Sequence, residues 1–164
     1  MIKDEKILIT GPAGRIASAL SEALAPHNDV WGIARFSDPQ SRERIDALGV
    51  TTRKIDYSTG EFGDLPQDFT YLLHLAADFS ESDYERALRV NAEGTGLLLE
   101  HCRDAKAALV MSTVTTYKPH PDPWHPFDEG DPLGDAAVPG QAPYSISKIA
   151  EEDLFRLCFL RMAC

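Results

Sequence analysis

A glycine turn between a short apolar run and an amphipathic segment is the feature that most constrains the fold of this chain. The run Ile7 to Ile9 has the length and the β-branched content of a strand, and glycines follow it directly at positions 11 and 14. Beyond the turn, apolar residues recur every three or four positions, which predicts a helix with one buried face: Ile16, Ala19, Leu20, Ala23 and Leu24. The first 25 residues therefore predict a strand, a tight turn and a helix.

This turn suits a phosphate ligand. Because Gly11 and Gly14 have no side chains, a pyrophosphate can approach the backbone, and the N-terminus of the following helix stabilises its charge. The spacing is Gly-x-x-Gly-x-x-Ala rather than Gly-x-Gly-x-x-Gly, and Ala17 is small enough for close packing of helix on strand. The alternative is an ordinary strand–helix turn, in which glycines and Pro12 are also common. We predict a dinucleotide site.

Strand and helix patterns alternate along the chain. The predicted strands lie near residues 6–10, 29–34, 51–56, 70–76 and 108–113, and the predicted helices near 14–25, 40–48, 82–104 and 144–161. This alternation predicts an α/β fold, a doubly wound parallel sheet of Rossmann type, with residues 1–164 forming one domain. Right-handed crossovers place the first and fourth strands side by side, with a cofactor cleft at their carboxyl ends.

The end of the second predicted strand bears on the choice of dinucleotide. A carboxylate about twenty residues after the turn binds the ribose hydroxyls of NAD, but Ala34 and Arg35 occupy this region and Asp38 lies further along. An arginine suits the additional 2′-phosphate of NADP. The alternative for Arg35 is a solvated side chain after a strand. We predict NADP, with NAD as the alternative.

Tyr144 and Lys148 are four residues apart in a predicted helix and therefore share one face. A nearby ammonium favours the phenolate and lowers the pKa of a tyrosine from its usual value of about 10. Such a phenol can exchange a proton near neutral pH, as general acid–base catalysis requires. Thr113, 31 positions upstream, ends a predicted buried strand.

Composition excludes several other classes of function. The chain has 164 residues, 43% of them hydrophobic and 26% charged, which suits a globular domain with a substantial core. Its net charge of −10 argues against a nucleic-acid partner and against an anionic membrane surface. No apolar stretch reaches the length of a membrane span. The widely spaced Cys102, Cys158 and Cys164 suggest reduced thiols and a cytoplasmic protein.

Six short motifs follow one another between residues 6 and 155. They are Thr10-Gly11-Pro12-Ala13-Gly14-Arg15-Ile16-Ala17, Ile55-Asp56-Tyr57, His74-Leu75-Ala76-Ala77, Val90-Asn91-Ala92-Glu93-Gly94-Thr95, Met111-Ser112-Thr113-Val114-Thr115-Thr116-Tyr117, and Tyr144 with Lys148. In this order they resemble the N-terminal half of an extended short-chain dehydrogenase/reductase, a group of NAD(P)-dependent epimerases, dehydratases and ketone reductases. Lys118 departs from the pattern, since a glycine commonly follows the tyrosine of the fifth motif.

The resemblance implies a role for each motif. Tyr144 would exchange the proton on the substrate oxygen, Thr113 would hydrogen-bond that oxygen, and Lys148 would lower the pKa of the tyrosine and bind the nicotinamide ribose. The aspartate of the second motif would contact the adenine ring. Together with Arg35, the expected cofactor-binding residues are Gly11, Ala13, Gly14, Arg15, Ile16, Asp56, Tyr57, Leu75, Ala76, Ala77, Asn91 and Lys148.

The resemblance also implies a small-molecule substrate, either a nucleotide sugar or a ketone, and hydride transfer at a carbinol or carbonyl carbon. Family members run to roughly 300 residues, a size that often includes a second domain. We therefore expect a chain truncated after its catalytic helix, without the substrate-binding lobe. The alternative function is a truncated, catalytically inactive dinucleotide-binding module.

Two further segments leave alternatives open. Residues 117–143 contain seven of the eleven prolines and predict a long loop beside the active site. Metal binding there by His120 and His125, with Asp122 and Asp128, is the weaker interpretation; solvated side chains are favoured, and no metal is predicted. The apolar face of predicted helix 82–104 either packs on the sheet or, as in the family it resembles, forms a homodimer.

Overall fold

The computed structural model describes residues 2–79, 83–134 and 142–162. The chain divides into two compact units. The first comprises Met1–Ala77 and Leu97–Met111, and the second comprises Asp78–Gly96 and Ser112–Cys164.

The first unit contains a five-stranded parallel sheet. Its strands are β1 (Lys6–Thr10), β2 (Asp29–Ala34), β3 (Thr51–Lys54), β4 (Tyr71–His74) and β5 (Ala107–Val110). They are arranged in the order β3-β2-β1-β4-β5, so β1 and β4 are neighbours, as predicted. This is the doubly wound, Rossmann-type order, in which the point between β1 and β4 is where ligands bind.

Two helices connect the first three strands. Helix α1 (Arg15–Leu24) follows β1, and α2 (Pro39–Asp46) follows β2. The side chain of Asp38 caps α2 by accepting from the N–H groups of Gln40 and Ser41, and Pro39 occupies the first helical position. Short 3₁₀ turns follow at Ala25–His27 and Tyr57–Thr59. One buried apolar cluster of this unit consists of Ile7, Ile9, Ala17, Val30, Ile45 and Val50.

The second unit is helical. Helix α3 (Tyr84–Ala87) runs into a π-helical turn, Leu88–Glu93, and then into α4 (Gly94–His101), whose last residues belong to the first unit. A 3₁₀ turn at Val114–Thr116 precedes the long helix α5 (Ala142–Met162). The predicted helix 82–104 is thus three segments, and its first residue, 82, lies outside the described residues.

Three predicted strands end earlier than expected, and after two of them polar side chains bind the next backbone N–H groups. The Thr10 hydroxyl accepts from the N–H groups of Leu75 and Ala76, so β4 ends at His74 instead of residue 76. Asp56 accepts from the Ser58 N–H and begins a 3₁₀ turn, so β3 ends at 54. Strand β5 ends at 110, and Thr113 lies beyond it as the N-cap of the next 3₁₀ turn.

The proline-rich segment is a loop, as predicted, over the part that the structure describes. An isolated bridge joins Tyr117 and Leu133, and the rings of Tyr117 and Phe127 stack with centroids 5.1 Å apart. The rings of His120 and His125 stack at 3.8 Å. Residues 135–141 lie outside the description. Between residues 2 and 134 and in α5, where side chains are described, no three or more His, Cys, Asp and Glu residues form a metal-binding group.

Cys102 is a buried free thiol, and burial raises its pKa to about 12. Cys158 is also free, whereas Cys164 lies outside the described residues. None of the helices in the described ranges is both long and apolar enough to span a bilayer.

Candidate active site

The glycine turn lies at the carboxyl end of β1, where backbone geometry requires glycine. Gly11 has a φ of +62°, in the left-handed region, and a Cβ atom added to it would lie 3.2 Å from the Cβ of Ala76. Its N–H donates to the carbonyl of Ile33 in β2 (2.9 Å), and its own carbonyl accepts from the N–H of Gly14 (2.8 Å). The turn is therefore held between the ends of β2 and β4.

The N-terminus of α1 is open toward solvent. Gly14 is the N-cap residue, and no side chain caps the helix. The exposed residues of the turn include four of the predicted cofactor-binding residues: Ala13, Gly14, Arg15 and Ile16. Uncapped N–H groups at a helix N-terminus bind anions, and the absent side chains leave space for a phosphate at the backbone. The turn consequently fits the pyrophosphate of a dinucleotide.

One hydroxyl joins the ends of β1 and β4. Thr10 Oγ1 accepts from Leu75 N and Ala76 N, both at 3.0 Å, and lies 2.8 Å from Nδ1 of His74. Since the two N–H groups occupy both lone pairs of the oxygen, its proton is donated to Nδ1. His74 therefore has a structural role, and the predicted cofactor-lining residues Leu75 and Ala76 are fixed beside Gly11.

Asp56 and Tyr57, from the predicted adenine-binding motif, both contact other residues of the protein. The Asp56 carboxylate accepts from the backbone N–H (3.1 Å) and the hydroxyl (2.6 Å) of Ser58. Tyr57 is buried, and its ring meets the His74 ring edge-on with centroids 5.0 Å apart. Arg35 is exposed at the end of β2, and within the described residues its guanidinium has no ion pair. Ala77 is half-buried at the end of this unit.

In the second unit, Tyr144 lies in the first turn of α5. Its ring is 8% exposed and packs at 4.9 Å from the ring of Phe79. The Thr113 side chain hydrogen-bonds the phenol. The neighbouring Ser112 donates instead to the carboxylate of Glu152.

The protonation of Tyr144 differs from the sequence-based expectation. Burial raises the pKa of Tyr144 above its ordinary value, the hydrogen bond from Thr113 lowers it in part, and the Glu151 carboxylate raises it further. The expected lowering by Lys148 is wrong for this state of the protein. The ammonium of Lys148 is paired with Glu151, which neutralises its charge.

Asn91 connects the π-helical turn to Asp78 and to helix α5 through side-chain hydrogen bonds. It is buried in the π-helical turn, where its Oδ1 accepts from the N–H of Asp78 (2.7 Å) and its Nδ2 donates to the carbonyl of Asp78 (2.8 Å). Nδ2 also donates to Oγ of Ser147 (2.9 Å), and this hydroxyl donates to the carbonyl of Tyr144 (2.7 Å). Asn91 thus fixes the first turn of α5, which carries the phenol.

Sequence reasoning missed Glu151, Thr95 and the pairing of Asp78 with Arg86 (2.9 Å). A signal for Glu151 was present, because an acid three residues after Lys148 lies on the same helical face. Nothing in the spacing showed that both side chains are buried, and Thr95 and Asp78 carried no comparable signal.

Comparisons with known proteins show the family of this chain. Residues 7–158 match the model of the NAD dependent epimerase/dehydratase family. Curated protein sequences gave no match. Many solved structures are similar to this chain, including the following three. UDP-glucuronic acid 4-epimerase from Bacillus cereus, in complex with NAD, is 25% identical with a TM-score of 0.78, over 96% of this chain and 53% of that one.

A short-chain dehydrogenase/reductase superfamily protein from Agrobacterium tumefaciens, with bound NAD, is 26% identical with a TM-score of 0.71, over 93% of this chain and 44% of that one. UDP-N-acetylglucosamine 4-epimerase from Methanobrevibacter ruminantium is 22% identical with a TM-score of 0.82, over 99% of this chain and 53% of that one. This similarity supports the fold alone. This chain spans about half the length of these structures. It belongs to the NAD-dependent epimerase/dehydratase family.

Proposed function

We propose that this chain provides the cofactor-binding and acid–base part of an NADP-dependent oxidoreductase of the extended short-chain dehydrogenase type. The reaction class is epimerisation, dehydration or ketone reduction, with hydride transfer at a carbinol or carbonyl carbon. The observation that supports it most is the Tyr144 phenol, held in the first turn of α5 with a hydrogen bond from Thr113. The alternative is a dinucleotide-binding module without catalysis.

In this mechanism the protein moves one proton. Tyr144 accepts it from the substrate hydroxyl during oxidation and returns it to the carbonyl oxygen during reduction. Thr113 hydrogen-bonds the same oxygen and fixes its position. Lys148 binds the nicotinamide ribose hydroxyls and supplies positive charge near the phenolate. The nicotinamide, when bound, supplies the hydride acceptor or donor.

The pyrophosphate is assigned to the turn of Gly11 and Gly14 and the open N-terminus of α1. We assign the 2′-phosphate of NADP to Arg35, because this guanidinium is exposed at the end of β2. Asp38, the nearest following acid, caps α2 with both carboxylate oxygens and is engaged there. The similar structures from Bacillus cereus and Agrobacterium tumefaciens contain NAD, which makes NAD the alternative cofactor.

We propose a nucleotide sugar as the substrate, with a small ketone as the alternative. The similar structures from Bacillus cereus and Methanobrevibacter ruminantium are UDP-sugar epimerases by name, and they share this fold. Homodimer formation through the predicted helix 82–104 and a cytoplasmic location stay predictions from the sequence.

The test combines cofactor binding with turnover. NADPH is titrated into the protein by nicotinamide fluorescence, and UDP-sugars and small ketones are assayed for conversion. We expect Tyr144→Phe to retain NADPH affinity and to lose turnover by about 10²–10⁴-fold. Tyr84→Phe, which makes the same change at an exposed tyrosine, is the control.

Three outcomes separate the proposals. Turnover that depends on Tyr144 supports the enzyme. NADPH binding without turnover of any substrate favours the binding module. Absence of binding to either nicotinamide dinucleotide contradicts both.

A further inference from the structure

Helix α5 contains two buried ions of opposite charge one turn apart. The side chains of Lys148 and Glu151 are 2% and 1% exposed, and Lys148 Nζ contacts a carboxylate oxygen of Glu151. A buried ammonium or carboxylate is costly unless it is paired, so neither group is stable here without the other. Lys148 is assigned above to the cofactor and the phenol, whereas Glu151 has no role in that mechanism.

Glu151 also contacts the segment that follows the π-helical turn. The hydroxyl of Thr95 hydrogen-bonds its carboxyl group, and Thr95 Oγ1 also donates to the carbonyl of Asn91 (2.6 Å). A hydroxyl has one proton to donate. An ionised Glu151 therefore competes with Asn91 for that proton, whereas a protonated Glu151 donates to Thr95 and leaves the bond to Asn91 intact.

The two ions act on the phenol in opposite directions. Negative charge at Glu151 disfavours the phenolate of Tyr144. Positive charge at Lys148, four residues after Tyr144 on the same helix, would favour it. While both are ionised, the two charges act against each other at the phenol. The extent to which the Lys148 ammonium stabilises the Tyr144 phenolate therefore depends on the position and charge of Glu151.

We propose that Glu151 is a positioning residue of the active site, which holds the Lys148 ammonium in place and sets how strongly it stabilises the Tyr144 phenolate. This inference rests on the proposed function for its relevance to catalysis. Among the described residues, the titratable groups that interact with Glu151 include Lys148, Glu152 and Tyr144 from its own helix, and Thr95 from α4 hydrogen-bonds it. Glu152 lies at 3.5 Å from the more exposed Arg156, which offsets its charge.

The test is a titration of Tyr144 in the cofactor-free protein. Near-ultraviolet tyrosinate absorbance is followed with pH, and subtraction of the Tyr144→Phe curve isolates this phenol. We expect Glu151→Gln to lower the apparent pKa of Tyr144 by on the order of one unit, because it removes an opposing charge and leaves the ammonium un-neutralised. Asp153→Asn removes the same charge from an exposed site on α5 and should leave the curve unchanged.

Glu151→Asp covers the case in which Glu151→Gln does not fold. It keeps the charge but withdraws the carboxylate by one methylene, so we expect a smaller shift in the same direction. An unchanged Tyr144 titration in the folded Glu151 variants, or an equal shift in Asp153→Asn, would overturn the inference.

Turnover is a separate readout. If the protein is an enzyme, the acidic limb of its pH profile should move with the titration of the phenol. A shifted titration in a protein without turnover would leave the coupling established and would reject only the enzymatic function.

Discussion

A Cβ atom on Gly11 would lie 3.2 Å from the Cβ of Ala76. The turn after β1 is therefore in close contact with the segment after β4 at these two residues. A side chain at position 11 would therefore have to displace the chain that lines the predicted cofactor site. The left-handed φ of +62° adds backbone strain for any residue other than glycine.

We expect Gly11→Ala to lower the free energy of unfolding by about 1–3 kcal/mol and to abolish NADPH binding. Gly63→Ala is the matched control, since Gly63 has a φ of +58° with nothing within 4 Å of an added Cβ. It should carry similar strain and leave NADPH affinity unchanged. Denaturant unfolding and fluorescence titration measure both quantities. An equal loss of NADPH affinity in the two variants would show that close approach of the cofactor to the backbone at position 11 is unimportant.

Arg35 is expected to distinguish NADPH from NADH. A charge-assisted hydrogen bond is worth about 1.5–3 kcal/mol, so Arg35→Ser should weaken NADPH binding by about 10–100-fold and leave NADH binding nearly unchanged. Arg44→Ser, at another exposed arginine, is the control for overall charge. Parallel titrations with both dinucleotides make the measurement. A wild-type protein that prefers NADH would contradict the assignment.

Replacement of Thr10 by valine should destabilise the protein without a change in side-chain volume. The variant leaves the N–H groups of Leu75 and Ala76 and the Nδ1 atom of His74 without their shared partner. We expect a loss of about 2–3 kcal/mol in the free energy of unfolding. Thr59→Val removes a hydroxyl with one donor and one acceptor contact at an exposed site and should cost much less. Similar losses in the two variants would refute a special role for Thr10.

Glu151 should make stability depend on pH. Burial raises its pKa from 4.5 to about 7, while Lys148 and Thr95 offset part of the rise. Because the folded state binds this proton more tightly than the unfolded state, its contribution to stability is largest below pH 4.5 and is lost as the pH rises toward 7.

Chemical unfolding at several pH values measures this dependence. The difference in unfolding free energy between the wild type and Glu151→Gln should decrease across that window, whereas the difference between the wild type and Asp153→Asn should stay flat. A constant difference for Glu151→Gln would mean that its carboxyl group has similar proton affinity in both states.

The order of elements was predictable from the sequence because it depends on local patterns. The apolar run at Ile7 to Ile9, the glycines after it and the later alternation determine a parallel sheet with β1 beside β4. The strand ends were not predictable to the residue, since they depend on where Thr10 and Asp56 direct their oxygens. The bond from Leu75 to Thr10 connects residues far apart in the chain, and the bond from Ser58 to Asp56 is a local turn bond in place of a strand bond. Strand patterns in the sequence show neither kind of bond.

The candidate site was predictable as a set of residues but not as a set of charges. The spacing of Tyr144 and Lys148 placed both on α5, and Thr113 was identified as the hydroxyl beside the phenol. The sequence predicted a lowered pKa for Tyr144, and this direction was wrong. The shift depends on the burial of the phenol and on the charge of Glu151, and a sequence pattern shows neither of them. Asp56 stays predicted at the adenine ring, and its hydrogen bonds to Ser58 could not be read from the sequence.

The π-helical turn Leu88–Glu93 determines which polar groups reach α5. A π-turn holds one residue more than an α-turn, so the chain beyond it is rotated by about 100° from its position in a regular helix. Asn91 within the turn reaches Ser147, and Thr95 just after it reaches Glu151. The length of this turn is therefore a determinant of the site in its own right: a single-residue deletion would preserve every side chain named here and still point the threonine away from the carboxylate.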